Sequence, residues 1–225
     1  MSNMTDRQSA ERVVRIAIVD DHPIVRRGLR EILEEDERFS VVGEAANAAE
    51  AIALVRHLRP DVLLLDVTMP GRSGLDVLHQ IVSEELPTRV LVLSIHPENQ
   101  YALRAIKAGA RGYLTKESAP DELLVALEKI LAGGCYLTES VAQQMTQQAT
   151  RRATKVTYPH ELLSDREFEV LRLLGSGKSV TEIADELNLS VKTVSTYRAR
   201  IMEKLHAKHT PELIRYAVEH GLVRE

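Results

Sequence analysis

Short apolar runs and helical spacings alternate along the first two-thirds of the chain. Val13 to Val19, Val62 to Leu65 and Val90 to Leu93 are dominated by β-branched and aliphatic residues. Runs of this kind suit strands buried on both faces of a covered parallel sheet. Val41 to Ala45 and Gly112 to Leu114 predict two shorter strands. Between them, apolar residues recur at helical spacing from Pro23 to Leu33, Ala48 to Leu58, Leu75 to Val82, Gln100 to Ala108 and Asp121 to Leu131. Pro23 suits a first helical turn, and Arg59-Pro60 and Gly109 are stops. Strands alternating with helices predict an α/β doubly wound five-stranded parallel sheet of order 2-1-3-4-5, closed by right-handed crossovers.

The pattern changes after Gly133-Gly134. From residue 139 to about 160, glutamines mix with Thr, Ala, Arg and Lys without a sustained apolar stripe, so 135–160 is expected to be a linker. Residues 161–225 then predict a small all-α domain of four helices. Ser164-Asp165-Arg166-Glu167 and Ser179-Val180-Thr181-Glu182 are capping boxes, and Leu163 with Phe168 can staple the first of them. Asn188-Leu189-Ser190 is a tight turn, Ser190 caps a helix reaching Leu205, and Pro211 opens the last helix. Two helices joined by about three residues make a helix-turn-helix. The expected domains are therefore 12–134 and 161–225.

Composition adds limits. The chain of 225 residues is 44% hydrophobic and 28% charged, ordinary for a globular protein of two domains. A lone cysteine, Cys135, excludes an internal disulfide framework and fits a reducing compartment. The polar start, Met1 to Glu11, reads as neither a secretory nor a mitochondrial leader. No apolar run approaches the roughly 20 residues that cross a bilayer, so no membrane association and a cytoplasmic location are expected. The net charge of −4 is uninformative, but between 192 and 208 five Lys/Arg face one acid, Glu203. Local positive charge is what a groove-reading helix needs.

Candidate chemistry lies at the carboxyl ends of the strands, where open α/β sheets place ligands. Asp20 and Asp21 end the first strand, Asp66 the third and Ser94 the fourth, and Lys116 follows the fifth. Converging carboxylates raise one another's pKa unless a cation neutralises them, and oxygen ligands of this kind suit Mg2+. A hydroxyl and an ammonium beside them complete a phosphate site in which a carboxylate can act as nucleophile.

Asp20-Asp21, Asp66 with Met69-Pro70-Gly71, Gly74, Ser94, Tyr113 and Lys116 stand in the order found in receiver (CheY-like) domains. The chain resembles a two-component response regulator of the NarL/FixJ type, a receiver followed by a LuxR-type helix-turn-helix. The resemblance implies that Asp66 accepts phosphate from a sensor histidine kinase. It also implies that Asp21 and Asp66 hold Mg2+ with the carbonyl of Thr68 while Asp20 acts through water, and that Ser94 and Tyr113 form a hydroxyl–aromatic switch pair. Relatives often carry proline after the lysine; here Glu117 follows Lys116, leaving a cis or a trans bond open.

On a helical wheel Val191, Val194, Ile201 and Leu205 face the core, while Lys192, Thr196, Ala199 and Glu203 lie opposite. Lys192, Ser195 and Thr196 are the expected base-reading residues of double-stranded DNA, Arg200 and Lys204 the phosphate-binding ones, and Thr193 is expected to be DNA-binding with them. Arg198 falls on the apolar side. The resemblance implies a homodimer on DNA, with the last helix (Leu213, Ile214, Ala217, Val218) as core or dimer contact. Two rival classes are weaker. An aspartyl phosphatase or phosphotransferase would carry Asp-x-Asp where Val67-Thr68 follows Asp66, and a dinucleotide-binding module would carry a glycine-rich loop where Asp20-Asp21-His22-Pro23 stands.

Overall fold

The computed structural model describes residues 12–223 apart from 70, 96, 97, 140, 144 and 147–157, and leaves the side chains of 98–100 aside. Pro70 and much of the expected linker thus lie outside the described residues.

Five parallel strands pair in the order β2-β1-β3-β4-β5: β1 Val14–Val19, β2 Phe39–Ala45, β3 Val62–Asp66, β4 Arg89–Ser94 and β5 Gly112–Thr115. Every residue of β3 is buried. Its alternate side chains feed two cores, as the period of two demands. Leu63 and Leu65 join Ala17, Val19, Val90 and Val92 beneath α2 (Ala48–Leu58), α3 (Gly74–Ser83) and α4 (Glu98–Lys107). Val62 and Leu64 join Ile16, Ile18, Leu91 and Leu93 beneath α1 (Pro23–Glu34) and α5 (Ala119–Leu131). Truncating a leucine in such a layer to alanine costs about 2–5 kcal/mol.

Local chemistry sets the helix starts. Pro23 stands in the first turn of α1, where its missing N–H costs nothing. Asn47 caps α2 by accepting from Glu50 N, and Ser73 with Asp76 forms a capping box on α3. Strand β2 begins at Phe39 and α4 at Glu98, each earlier than the periodicity suggests.

Tyr136 and Val141, expected within the linker, are packed. Tyr136 N–H donates to Arg111 O at 2.8 Å, its hydroxyl donates to Glu122 at 2.8 Å, and Val141 is buried in the core beneath α4. Two isolated apolar residues leave no periodic trace, which is why this packing escapes a pattern search.

The C-terminal helices are α6 (Asp165–Gly175), α7 (Val180–Glu186), α8 (Val191–Lys204) and α9 (Thr210–Glu219), preceded by a 3-10 turn, Pro159–Leu162. Both expected capping boxes are present, on α6 and α7. Asn188 takes the left-handed conformation (φ 51°) in the turn before α8, and Ser190 caps that helix through Thr193 N. Helix α6 is the hub: Arg166 through Leu171 are all buried. Val191 is 48% exposed rather than in the core. A wheel angle gives direction but not how far along its axis a helix stays covered.

Candidate functional site

Parallel register puts the acids together. Val19 pairs with Leu65 across β1 and β3, so Asp20 and Asp66 leave the sheet side by side. Both are 1% exposed. Lys116, just past β5, brings Nζ to 2.7 Å from Asp66 Oδ2, donating a hydrogen bond, and to 2.6 Å from Asp20 Oδ2. The second contact has ion-pair distance without hydrogen-bond direction, for Asp20 Oδ2 has no hydrogen-bond partner among the described residues. Thr68 N–H donates to Asp66 Oδ1 at 3.0 Å. Ser94 ends β4 fully buried, and Tyr113 on β5 is buried at 1% exposure. The described residues contain no cis peptide bond, so Lys116–Glu117 is trans.

Burial pushes the Asp66 carboxyl up to about 6, with Lys116 opposing the shift and Asp20 adding to it. Burial also works against the Lys116 ammonium, but Asp66 and Asp20 outweigh it and hold Lys116 above its ordinary value. The site is thus short of positive charge. Asp20, Asp21, His22 and Asp66 each offer one donor atom, all within 4.8 Å of one another. Asp20 Oδ2, Asp21 Oδ1 and Thr68 Oγ1 are buried without a hydrogen-bond partner among the described residues. Carboxylate oxygens that lack donors fit a hard divalent cation such as Mg2+.

Gly74 permits this closeness. A Cβ there would fall 1.9 Å from Asp66 O, so only glycine lets the start of α3 lie against the end of β3.

On α8, Lys192, Thr196, Ala199, Arg200 and Glu203 are exposed along one face, while Val194 and Ile201 are fully buried. Thr193 and Ser195 are half-buried at its edge. The Thr193 hydroxyl lies 2.7 Å from Ser190 Oγ, and Thr196 Oγ1 donates to Lys192 O at 3.0 Å. Lys204 departs from this face. Its ammonium donates to Glu167 Oε2 at 2.7 Å and to Leu162 O at 3.2 Å. Glu167 is almost buried, spends itself on the Ser164 cap and draws in the nearest cation. Arg198 is half-buried, and its Nε has no hydrogen-bond partner among the described residues.

The structure adds residues that the periodicities do not reveal. Tyr101 on α4 meets Phe168 on α6 edge-on, with centroids 5.7 Å apart, and its hydroxyl accepts from Arg172 Nη1 at 3.2 Å. The Arg104 guanidinium lies 4.0 Å from the Phe168 ring centre. It donates to His160 O at 2.8 Å, Leu163 O at 3.0 Å and Asp165 Oδ1 at 3.1 Å. Gly71, five residues beyond Asp66, uses both of its backbone polar groups: its N–H donates to Leu187 O at 3.2 Å, and its carbonyl accepts from Arg166, which also pairs with Glu169. Burial raises the Glu169 carboxyl, and Arg166 works against that shift. The outward residues of α8 take no part in these bonds.

Comparison with known proteins agrees with this geometry. Residues 16–128 match the family described as response regulator receiver domain, and 161–217 match bacterial regulatory proteins, luxR family. The chain is 37% identical to response regulator UvrY of Escherichia coli K12 over 210 residues, covering 93% of this chain and 96% of that protein. It is 36% identical to response regulator GacA of Pseudomonas aeruginosa over 211 residues, covering 94% and 98%. Among solved structures, Salmonella typhimurium RcsB superposes with a TM-score of 0.65 at 32% identity, covering 92% of this chain and 98% of that one. RcsB bound to a promoter with the phosphomimetic BeF3- superposes at 0.57 with 31% identity, covering 91% and 97%.

Proposed function

The chain belongs to the bacterial response regulators that join a receiver domain to a luxR-family output domain, and from that membership we propose that Asp66 is the phosphoacceptor through which a sensor histidine kinase controls DNA binding. The protein is a phosphorylation-controlled, DNA-binding transcription regulator rather than a conventional enzyme. In this reading the receiver spans 12–134 and the output domain 161–225.

The observation that carries the reading is the meeting of Asp20 and Asp66 with Lys116 Nζ, within 2.7 Å of each, at the carboxyl end of the sheet. An Asp66 carboxylate oxygen attacks the phosphorus of a phosphohistidine. The P–N bond breaks, its electron pair stays on the imidazole nitrogen, and that nitrogen takes up a proton. Asp20, Asp21, Asp66 and the Thr68 carbonyl would hold Mg2+. When bound, Mg2+ neutralises charge on the transferring oxygens. Lys116, already at Asp66 Oδ2, would meet a phosphoryl oxygen, and Ser94 would donate to another. Tyr113 then follows Ser94 as the aromatic half of the switch.

Lys192, Thr193, Ser195 and Thr196 occupy the first turns of α8, the part of a recognition helix that reaches base edges, and Arg200 suits a phosphate. Lys204 is assigned to anchoring Glu167 instead of to phosphate. Homodimers on double-stranded DNA follow from the family. No helix of the described residues is long and apolar enough to cross a membrane; a regulator that acts on promoter DNA would work in the cytoplasm.

Acetyl phosphate with Mg2+ is expected to add about 80 Da, one phosphoryl group, to the wild type and nothing to Asp66→Asn. Equal labelling of the variant overturns the assignment.

A further inference from the structure

The link between β1 and α1 carries two of the acids but has no side-chain cap to hold it: His22, the N-cap residue of α1, makes no capping bond. Arg26, one turn into α1, reaches back instead. Its Nη1 donates to Asp20 O at 2.6 Å and its Nε to Glu44 Oε2 at 3.0 Å. Glu44 stands next to last in β2, opposite Ile18 of β1. From the same strand end, Ala45 O accepts from Asp20 N–H at 3.2 Å. Both backbone polar groups of Asp20 are thus fixed by the neighbouring strand and helix.

A peptide unit is planar, so the Asp20 carbonyl shares its plane with the Cα atoms of Asp20 and Asp21. Fixing that oxygen sets the direction in which both side chains leave the chain. Asp20 has further supports at its carboxylate: Lys116 Nζ lies 2.6 Å from Oδ2, and His22 N–H donates to Oδ1 at 2.9 Å. Asp21 depends more on the peptide, because its carboxylate meets the largely exposed ring of His22. A guanidinium suits this task, since its rigid fork aims two donors at once where an ammonium is a point charge. The Arg26 side chain is mostly covered, and Glu44 matches its charge.

We infer that Arg26 is a positioning residue of the phosphoacceptor site: by tying the Asp20 carbonyl to Glu44, it aims the Asp20 and Asp21 carboxylates at the place where Mg2+ would bind. This rests on the pocket being the metal site of the receiver, and it adds no ligand to that site. Arg30, one turn further along α1, supplies the comparison. It too binds Glu44, through Nε at 2.9 Å and Nη2 at 2.6 Å, and it bonds Glu34 through Nη1 at 3.2 Å. Both arginines tie α1 to β2, but Arg26 is the one that bonds Asp20. Charge and orientation act in opposite directions here. Removing a cation beside the pocket would by itself tighten a divalent ion, whereas acids left free to swing bind it less well.

The test titrates the full chain, labelled with 15N, with Mg2+. Nuclear magnetic resonance follows the amide signals of Asp20, Asp21 and Asp66, well below each variant's melting temperature. Arg26→Met, which keeps much of the apolar stem without a donor, is expected to weaken Mg2+ binding about tenfold, the scale of losing a residue that orients a ligand. Arg30→Met is expected to bind Mg2+ as tightly as the wild type or slightly more tightly. Unchanged or tighter binding in Arg26→Met overturns the inference. So does an equal loss in Arg30→Met, which would show that the tie between α1 and β2 acts through general stability. If Mg2+ moves none of the three signals in the wild type, the pocket reading fails and takes the inference with it.

Discussion

Asp66 stores an electrostatic cost. Its carboxyl sits at about 6 in the fold, against 3.8 for an ordinary one, because burial outweighs the help of Lys116. A carboxyl raised on folding favours the fold while protonated. That contribution is complete below about pH 4 and disappears as pH rises through 6. Asp66→Asn is therefore expected to raise the melting temperature of the metal-free protein at pH 7.5 and to lose the gain by pH 4. The shift corresponds to at most about 3 kcal/mol, less what Lys116 forfeits when Asp66 no longer pairs with it. A gain of equal size at both pH values would show that Asp66 is not the group being relieved. The acids, Ser94 and Lys116 were legible in the sequence because each stands where an apolar run stops. Gly74 stood in the sequence only as part of the resemblance, and its role was not legible, since the 1.9 Å approach to Asp66 O depends on how α3 leans on β3.

At the scale of elements, α8 separates two kinds of basic residue that sequence treats alike. Arg200 is exposed on the outward face, whereas Lys204 is tied to Glu167 and the Leu162 carbonyl. Arg200→Ala is expected to lower the slope of log affinity against log salt by about 1, the signature of one lost phosphate contact. Lys204→Ala is expected to leave the slope unchanged and to lower the melting temperature through the α6 cap. Salt titrations of DNA binding for both variants decide between them, and a reduced slope for Lys204→Ala would return it to the phosphate-binding class. The helix-turn-helix itself was readable from its caps, Ser164/Glu167, Ser179/Glu182 and Ser190. The fate of Lys204 was not, because its partner lies thirty-seven positions earlier.

Across the whole molecule the pocket and the output helices share one apolar core, which runs from Val19 and Leu65 through Tyr101 and Tyr113 to Phe168 and Ile201. Tyr101, Arg104 and Phe168 each satisfy the helical pattern of their own segment, so no local signal announces that they meet. Among the described residues, the Arg166 bond to Gly71 O, the Arg104 bonds around Leu163 and Asp165, and the Tyr101–Phe168 contact join the receiver to α6. If phosphorylation shifts any of them, the α6 amides open more readily. Acetyl phosphate is thus expected to speed hydrogen exchange from Leu163 to Arg172 in the wild type and not in Asp66→Asn. Identical exchange in treated and untreated wild type would mean that the pocket is not coupled to this contact.

The contact between the two parts draws on residues 160–172 and Leu187, while the outward face of α8 stays clear of it. Exchanging Lys192, Thr196 or Ala199 therefore disturbs neither the core nor the contact between the two parts. Operator preference can drift among duplicated copies of such a gene while the phosphorylation response is inherited unchanged, so one receiver design can serve many promoters.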